Sequence, residues 1–196
     1  MINISFLLYT AFRLAPFILV SYFSLSSILN QDVKGIVYLA GLLFACFVAS
    51  IVGSLETFRL KTENMNKDNE MICNVLTLTD TGRFSNIPLS MVTFTYTFFF
   101  LVYIIADKKL AVQNIPTLII FPLIIIGEFA WNSFYGCASM VGVICAGIIG
   151  GLIGVMWSMI IAKNGAVKLQ YFNGITNSNV CTRSSTQKFK CTTQEI

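Results

Sequence analysis

The sequence predicts an all-α fold, a polytopic transmembrane helical bundle of about five spanning helices, and three observations carry that prediction. Five long apolar runs, Leu14–Leu29, Gly35–Leu55, Ile87–Ala106, Leu110–Trp131 and Met140–Ala162, make up most of the 196 residues. Hydrophobic residues are 56% of the chain and charged residues 11%, with a mean hydropathy of +0.75. Soluble domains carry about 25% charged residues. None of the runs alternates polar with apolar residues as a barrel strand does, and in lipid only helices and closed barrels satisfy their own backbone. A span needs about 20 mostly apolar residues. The spans therefore fill residues 1–162 as one transmembrane bundle, and residues 163–196 are left as a polar, basic C-terminal tail.

The first element opens with Met1–Phe12, which mixes Ile2, Ile4, Phe6, Leu7, Leu8 and Tyr9 with polar residues. It reads as an interfacial lead-in, with Arg13 at the headgroups and span one beginning at Leu14. Pro16 then falls in a first helical turn, where proline is tolerated. A cleaved signal peptide is the other reading. The lack of a positive charge before Arg13 and of a small-residue cleavage site favours an uncleaved helix. Ser26-Ser27 and Asn30-Gln31-Asp32 end span one, and the short turn predicts an antiparallel hairpin with span two.

Span two closes at Gly53-Ser54, and Glu56–Arg83 forms the main polar loop. Its apolar patch Met71–Thr79 is too short to span and is expected to lie in the interface or re-enter the bundle. Span three carries Phe98, Phe99, Phe100 and Tyr103 and ends at Asp107-Lys108-Lys109. Span four contains Pro116 and Pro122, with Glu128 near its end. The loop Asn132–Ser139 then leads to span five.

Charge assigns the sides. The tail holds Lys163, Lys168, Arg183, Lys188 and Lys190 against Glu195 alone, which accounts for the whole formal net charge of +4. Lys34, Lys108 and Lys109 share the tail's side, while Arg13, Arg59, Lys61, Lys67 and Arg83 lie opposite. The excess predicts a cytosolic tail by the positive-inside rule. A basic tail beside a span also attracts anionic lipid, so membrane lipids are the first expected partner.

Span five places Gly142, Ala146, Gly150 and Gly154 at four-residue spacing, with Gly147 and Gly151 in an adjoining row. Small residues so spaced let another helix approach backbone to backbone. The partner is open: span three or four of the same chain, or a second protomer. Glu128 is the one acidic residue well inside an apolar run, and an intramembrane ionisable group is a functional candidate. It lies one turn from Trp131 and Asn132. Two readings stand: it reaches the interface, or it is buried with a partner such as Arg83 or Arg59.

The chain has no histidine and six cysteines. The missing imidazole removes the commonest general base and metal ligand. With no C-x-x-C spacing, no metal site is expected. Cys46 and Cys145 read as small packing residues. Cys73 and Cys137 fall in loops on one side, and Cys181 and Cys191 flank nine tail residues, so these four are candidates for disulfides, depending on the compartment. Asn3-Ile4-Ser5 is the one glycosylation sequon. No glycine loop that cradles phosphate appears, and neither a cofactor nor a nucleic acid is expected as a partner.

Residues 35–162 resemble the membrane members of the type-2 phosphatidic acid phosphatase and haloperoxidase superfamily. There, six helices carry K-x6-R-P, P-S-G-H and S-R-x5-H at one membrane face. The basic residues bind phosphate, one histidine attacks it and the other protonates the leaving group. Ile87-Pro88-Leu89-Ser90-Met91 stands where P-S-G-H would sit. Asn132-Ser133 and, five residues on, Ser139 stand where S-R-x5-H would sit. Only Pro88 agrees at a motif position. Met91 and Ser139 replace the histidines, Ser133 replaces the arginine, and Lys61 is not followed by R-P. The resemblance implies a related fold without its catalytic apparatus, since neither residue replaces an imidazole nucleophile and its acid partner. Both segments precede spans of one direction, so Pro88–Met91 and Asn132–Ser139 should converge at one face.

A second resemblance covers Gly150–Trp157, Leu169-Gln170-Tyr171-Phe172-Asn173-Gly174, Val180-Cys181 and Phe189-Lys190-Cys191. These segments look like uncharacterised polytopic membrane proteins of giant DNA viruses. That likeness implies a viral internal membrane or the host endoplasmic reticulum, and other membrane or virion proteins as partners. It would also permit a cytosol-facing Cys181–Cys191 bridge. Three functions follow. The first is a non-catalytic viral membrane protein with a degenerate lipid-phosphatase-like fold. The second is a lipid-phosphate-acting enzyme whose atypical polar site draws on Glu128, Arg83, Lys61, Asn132, Ser133, Ser139 and Ser90. The third is a small channel or transporter component.

Overall fold

The structure, a computed structural model, describes residues 4–29, 33–54, 87–135, 138–163, 180–183 and 189–192. The described chain forms five helices: α1 (Ile4–Leu29), α2 (Lys34–Gly53), α3 (Leu89–Asp107), α4 (Ile115–Tyr135) and α5 (Met140–Lys163). A 3-10 turn, Val112–Asn114, leads into α4, and two short strands, β1 (Val180–Arg183) and β2 (Phe189–Thr192), pair antiparallel in the tail. The fold is an all-α transmembrane bundle with a small hairpin appended. The loop Glu56–Arg83, with Lys61, Cys73, the patch Met71–Thr79 and Arg83, lies outside the described residues, as do Asn3, Cys137 and most of the tail.

Four helices are long and apolar enough to cross a membrane: α2, α3, α4 with its leading 3-10 turn, and α5. The expectation of five spans is met by these four, and α1 holds a further apolar stretch, Leu14–Leu29. The lead-in and span one are not separate elements either. One 26-residue helix runs from Ile4 through Pro16 to Leu29. The proline costs one backbone bond, which a helix in a membrane tolerates when neighbours re-satisfy the freed carbonyl.

The outer surface is apolar almost throughout. Phe17, Ile18, Leu43, Phe47, Ile119 and Leu123 are all exposed, far more contiguous apolar surface than a water-soluble monomer presents. Lipid is the solvent that fits. The inner surface centres on α3, the most enclosed helix, while α4 is the least enclosed. Tyr38, Leu42, Ala45 and Ala49 of α2 meet Val92, Tyr96, Phe100 and Ile104 of α3, together with Val143, Ala146 and Ile153 of α5.

The most extensive contact joins α3 to α5. On α5 one face buries Gly142, Ala146, Gly150, Gly154 and Ser158, while Ile144, Ile148, Leu152, Met156 and Ile160 face outward. A Cβ on Gly150 would lie 2.6 Å from the Val92 carbonyl oxygen and against Thr95 Oγ1. One on Gly154 would lie 2.5 Å from the Tyr96 carbonyl oxygen and 3.2 Å from the Phe100 nitrogen. The contact points advance together along both chains, so α3 and α5 run in the same direction, backbone against backbone. At Gly147 the nearest atoms stand 3.8 and 3.9 Å away, so that position is looser, while a Cβ on Gly151 would lie 3.0 Å from the Phe99 ring.

The first two helices pack as a hairpin. The Gly35 amide donates to Ser27 Oγ at 3.1 Å, and a Cβ on Gly35 would lie 2.6 Å from the Phe23 carbonyl oxygen. At the other end of α3 the chain turns through a left-handed residue, Lys109, with φ 54°. The Leu110 amide donates to the Ile105 carbonyl at 2.9 Å and the Lys109 amide to that of Ala106 at 3.2 Å. This is the Schellman pattern, with lysine where glycine is usual.

Candidate functional site

Intramembrane polar groups collect at two depths. The first collection lies where α3 begins and α4 ends. Ser90 sits in the first turn of α3, and Glu128 and Asn132 sit one turn apart on α4. Residues four apart on a helix share a face, so the two α4 side chains point together at α3. Ser90 Oγ donates to Glu128 Oε1 at 2.5 Å. Asn132 Nδ2 donates to the same oxygen at 3.2 Å and to the Glu128 carbonyl at 2.7 Å. Glu128 and Asn132 are each 2% exposed. Glu128 is therefore enclosed, and among the described residues its partners are a hydroxyl and an amide rather than a cation. Arg83, Arg59 and Lys61 lie outside the described residues.

Asn132 and Ser133 belong to helix rather than to a loop, because α4 continues to Tyr135. The physical reason is visible in Asn132: its amide bonds back to the carbonyl four residues earlier, so the helix gains a bond where an exposed asparagine would favour a turn. Ser133 faces outward and donates to Met140 Sδ at 3.7 Å. Ser139 has another task. Its Oγ accepts the Gly142 amide at 3.0 Å, the bond of an N-cap at the head of α5. Met91 is buried in the core near Gly147. Of the seven polar candidates, the structure brings together Ser90, Glu128 and Asn132. Ser133 and Ser139 take separate positions at the same end.

The second collection was not singled out by the sequence. Tyr38 is fully buried, and its hydroxyl lies 2.6 Å from Thr97 Oγ1. Thr97 Oγ1 in turn donates to the Thr93 carbonyl at 2.7 Å, so the tyrosine is the donor of the pair. Tyr96 Oη donates to the Tyr38 carbonyl at 3.1 Å, and Trp157 Nε1 to the Val37 carbonyl at 2.9 Å. Gly41 makes room for both rings: a Cβ there would touch Tyr96 Oη and lie 2.6 Å from Trp157 Cδ1. The rings of Phe23, Tyr38, Tyr96 and Phe100 pack around this point. A buried tyrosine or tryptophan usually finds an acceptor. The available signal was three such donors inside apolar runs, with no indication of which helix would supply the acceptors.

Chemically, the first cluster can hold α4 against α3, or place a hydroxyl beside a carboxyl. The second can only pack, since its hydrogens already meet carbonyls or a hydroxyl in the bundle interior. Among the described residues no group of three or more cysteine, aspartate or glutamate side chains is arranged to hold a metal. Compared with family models, with curated proteins and with solved structures, the chain matches none.

Proposed function

We propose that the chain is a non-enzymatic multi-pass protein of a viral or host-derived membrane, with the fold of a lipid phosphatase that has lost its histidines. One observation carries the non-enzymatic part: Ser90, Glu128, Asn132 and Ser139, at the loop-side end, are engaged with each other or with backbone. Ser90 and Asn132 direct their hydrogens at Glu128, and Ser139 caps α5. Met91, at one of the two histidine positions of the resemblance, is core. Used this way, the groups tie helices together, which is what interhelical hydrogen bonds do in lipid. The viral part is supported by the likeness of Gly150–Trp157 and the tail segments to giant-virus membrane proteins.

The Ser90–Glu128 contact also favours a second reading. A hydroxyl bonded to a carboxyl, itself held by an amide, has the order of nucleophile, base and orienting group. In that reading Ser90 Oγ attacks the phosphorus of a lipid phosphate, Glu128 takes the hydroxyl proton, the bond from phosphorus to the lipid oxygen breaks, and the proton passes from Glu128 to the departing lipid alcohol; water then releases phosphate from Ser90.

One experiment separates the two. Purified protein is placed in vesicles containing phosphatidic acid, or supplied with a prenyl diphosphate, and phosphate release is measured. The non-enzymatic reading expects no release above protein-free vesicles. Release that disappears in both Ser90→Ala and Glu128→Gln would overturn it in favour of the second. Immunogold labelling of the tagged chain in infected cells tests the membrane. Label on the internal virion membrane or endoplasmic reticulum supports the assignment, and label confined to the plasma membrane or mitochondria refutes it.

A further inference from the structure

The tail hairpin sets two cysteines directly opposite one another. Its register pairs Val180 with Thr192, Cys181 with Cys191, Thr182 with Lys190 and Arg183 with Phe189. Opposed residues in an antiparallel ladder have Cα atoms about 4.5 or 5.5 Å apart, depending on whether the pair exchanges backbone bonds. Both distances fall inside the roughly 4.4–6.8 Å that a disulfide spans. A slip of one residue would set Cys181 against Lys190 or Thr192 and lose the pair.

The hairpin also needs something to hold it. Each strand is four residues long, and a lone two-stranded hairpin is marginal at best in water. A cross-link between opposed residues closes the intervening loop in the unfolded chain as well as the folded one, which favours the paired state. The two cysteines placed in the bundle, Cys46 and Cys145, are free and lie within α2 and α5.

We infer that Cys181 and Cys191 form a reversible disulfide that latches the tail hairpin, making this a site of thiol–disulfide exchange. The co-reactant is a disulfide, either oxidised glutathione or a protein disulfide. One cysteine thiolate attacks its sulfur–sulfur bond and releases the first co-reactant thiol. The second cysteine thiolate then displaces the other co-reactant sulfur from the mixed disulfide. The two cysteine protons end on the two released thiols, and two electrons pass from the cysteine pair to the co-reactant. This inference stands apart from the catalytic status of the bundle.

The test uses the full chain in vesicles or micelles, equilibrated across ratios of oxidised to reduced glutathione, quenched with a maleimide and read by intact mass and peptide mapping. The expected result is a species with two fewer maleimide adducts than the fully reduced chain and two fewer hydrogens, with peptides bearing Cys181 and Cys191 joined and both thiols lost from labelling along a single redox transition. Cys73→Ser with Cys137→Ser should leave the transition in place, and Cys181→Ser should abolish it while Cys191 becomes open to labelling. The inference is overturned if both cysteines stay open to maleimide at every ratio. It is equally overturned if either is found joined to another cysteine of the chain or to a second copy.

Discussion

Replacing Gly154 by alanine adds one methyl group at the closest backbone approach of the α3–α5 contact. Its Cβ would stand 2.5 Å from the Tyr96 carbonyl oxygen, against an ordinary contact distance of at least 3.4 Å. The helices must separate by about 0.9 Å, or α5 must rotate, and either loses close contact along the pair. The Gly150 position is similar, 2.6 Å from the Val92 carbonyl oxygen, and there the methyl also strikes Thr95 Oγ1. That hydroxyl is already bonded to the Met91 carbonyl at 2.7 Å and has little freedom to turn away. Overpacking of this kind costs about 1–3 kcal/mol, roughly a 5- to 150-fold loss in the folding equilibrium. Gly147→Ala is the control. Its methyl would meet nothing nearer than 3.8 Å, and alanine favours helix over glycine by about 1 kcal/mol. Reversible unfolding in mixed micelles, followed by helicity, should rank Gly147→Ala at or above the parent and the other two below it. If Gly150→Ala and Gly154→Ala unfold with the parent, or if Gly147→Ala is the worst of the three, the backbone contact inferred here is wrong.

Further outcomes are expected in the same assay. Ser90→Ala should lose about 0.6–1.7 kcal/mol, the range for an interhelical hydrogen bond in a membrane. Glu128→Leu should lose more, about 1–3 kcal/mol, because it leaves the Ser90 hydroxyl without its acceptor and takes from Asn132 one of its two acceptors, the backbone carbonyl remaining, and Glu128→Gln should lose less than Glu128→Leu because it keeps an amide oxygen. Equal stability of all three variants would show that the cluster contributes nothing to docking α4. Lys109→Gly should raise stability by about 1 kcal/mol, since only glycine enters the left-handed region without strain; a loss would contradict the Schellman geometry. Ser158 is fully buried and its hydroxyl has no partner among the described residues, so Ser158→Ala should gain up to about 1 kcal/mol. A clear loss there would mean that the hydroxyl has a partner.

The helices were legible in the sequence because their signal is local. An apolar run of span length has few other fates in lipid, and α2, α3 and α5 begin and end close to the boundaries read from composition. Errors arose where one residue carried two meanings. Pro16 has the sequence signature of a helix start, yet α1 passes through it. Asn132 was read as loop, yet it bonds back along α4. The glycine spacing on α5 marked a close helix contact but not its partner. That partner, α3, runs parallel to α5 and is separated from it by α4, so the pairing is non-local. Glu128 stood out as an intramembrane carboxyl, and the expected partners were loop arginines. Nothing local distinguishes Ser90 from the other hydroxyls of the chain. The Tyr38, Tyr96 and Trp157 donors were hidden for the same reason, since their acceptors are backbone carbonyls or a threonine on other helices.

The two polar collections and the glycine contact divide the task of assembling the bundle. Apolar burial cannot bring helices together in lipid, because the tails are as apolar as leucine. What remains is close packing of small residues and hydrogen bonds between helices, and this chain uses them in different places. Gly150 and Gly154 join α5 to α3 over backbone. Tyr38, Tyr96 and Trp157 tie α2 to both of those helices through three directed bonds. For α4 the part-buried hydrogen bond to another helix is Ser90–Glu128, with Asn132 holding the carboxyl in place, beside the stack of Phe98 on Phe121, and this helix is also the least enclosed. Stability should therefore be graded: α2, α3 and α5 form a unit that survives loss of the Ser90–Glu128 bond, and α4 is the spanning helix that leaves first. In Glu128→Leu, a cross-link placed between α3 and α4 should weaken while one between α3 and α5 is unchanged. If both weaken together, the bundle is a single cooperative unit and the division by contact type does not hold.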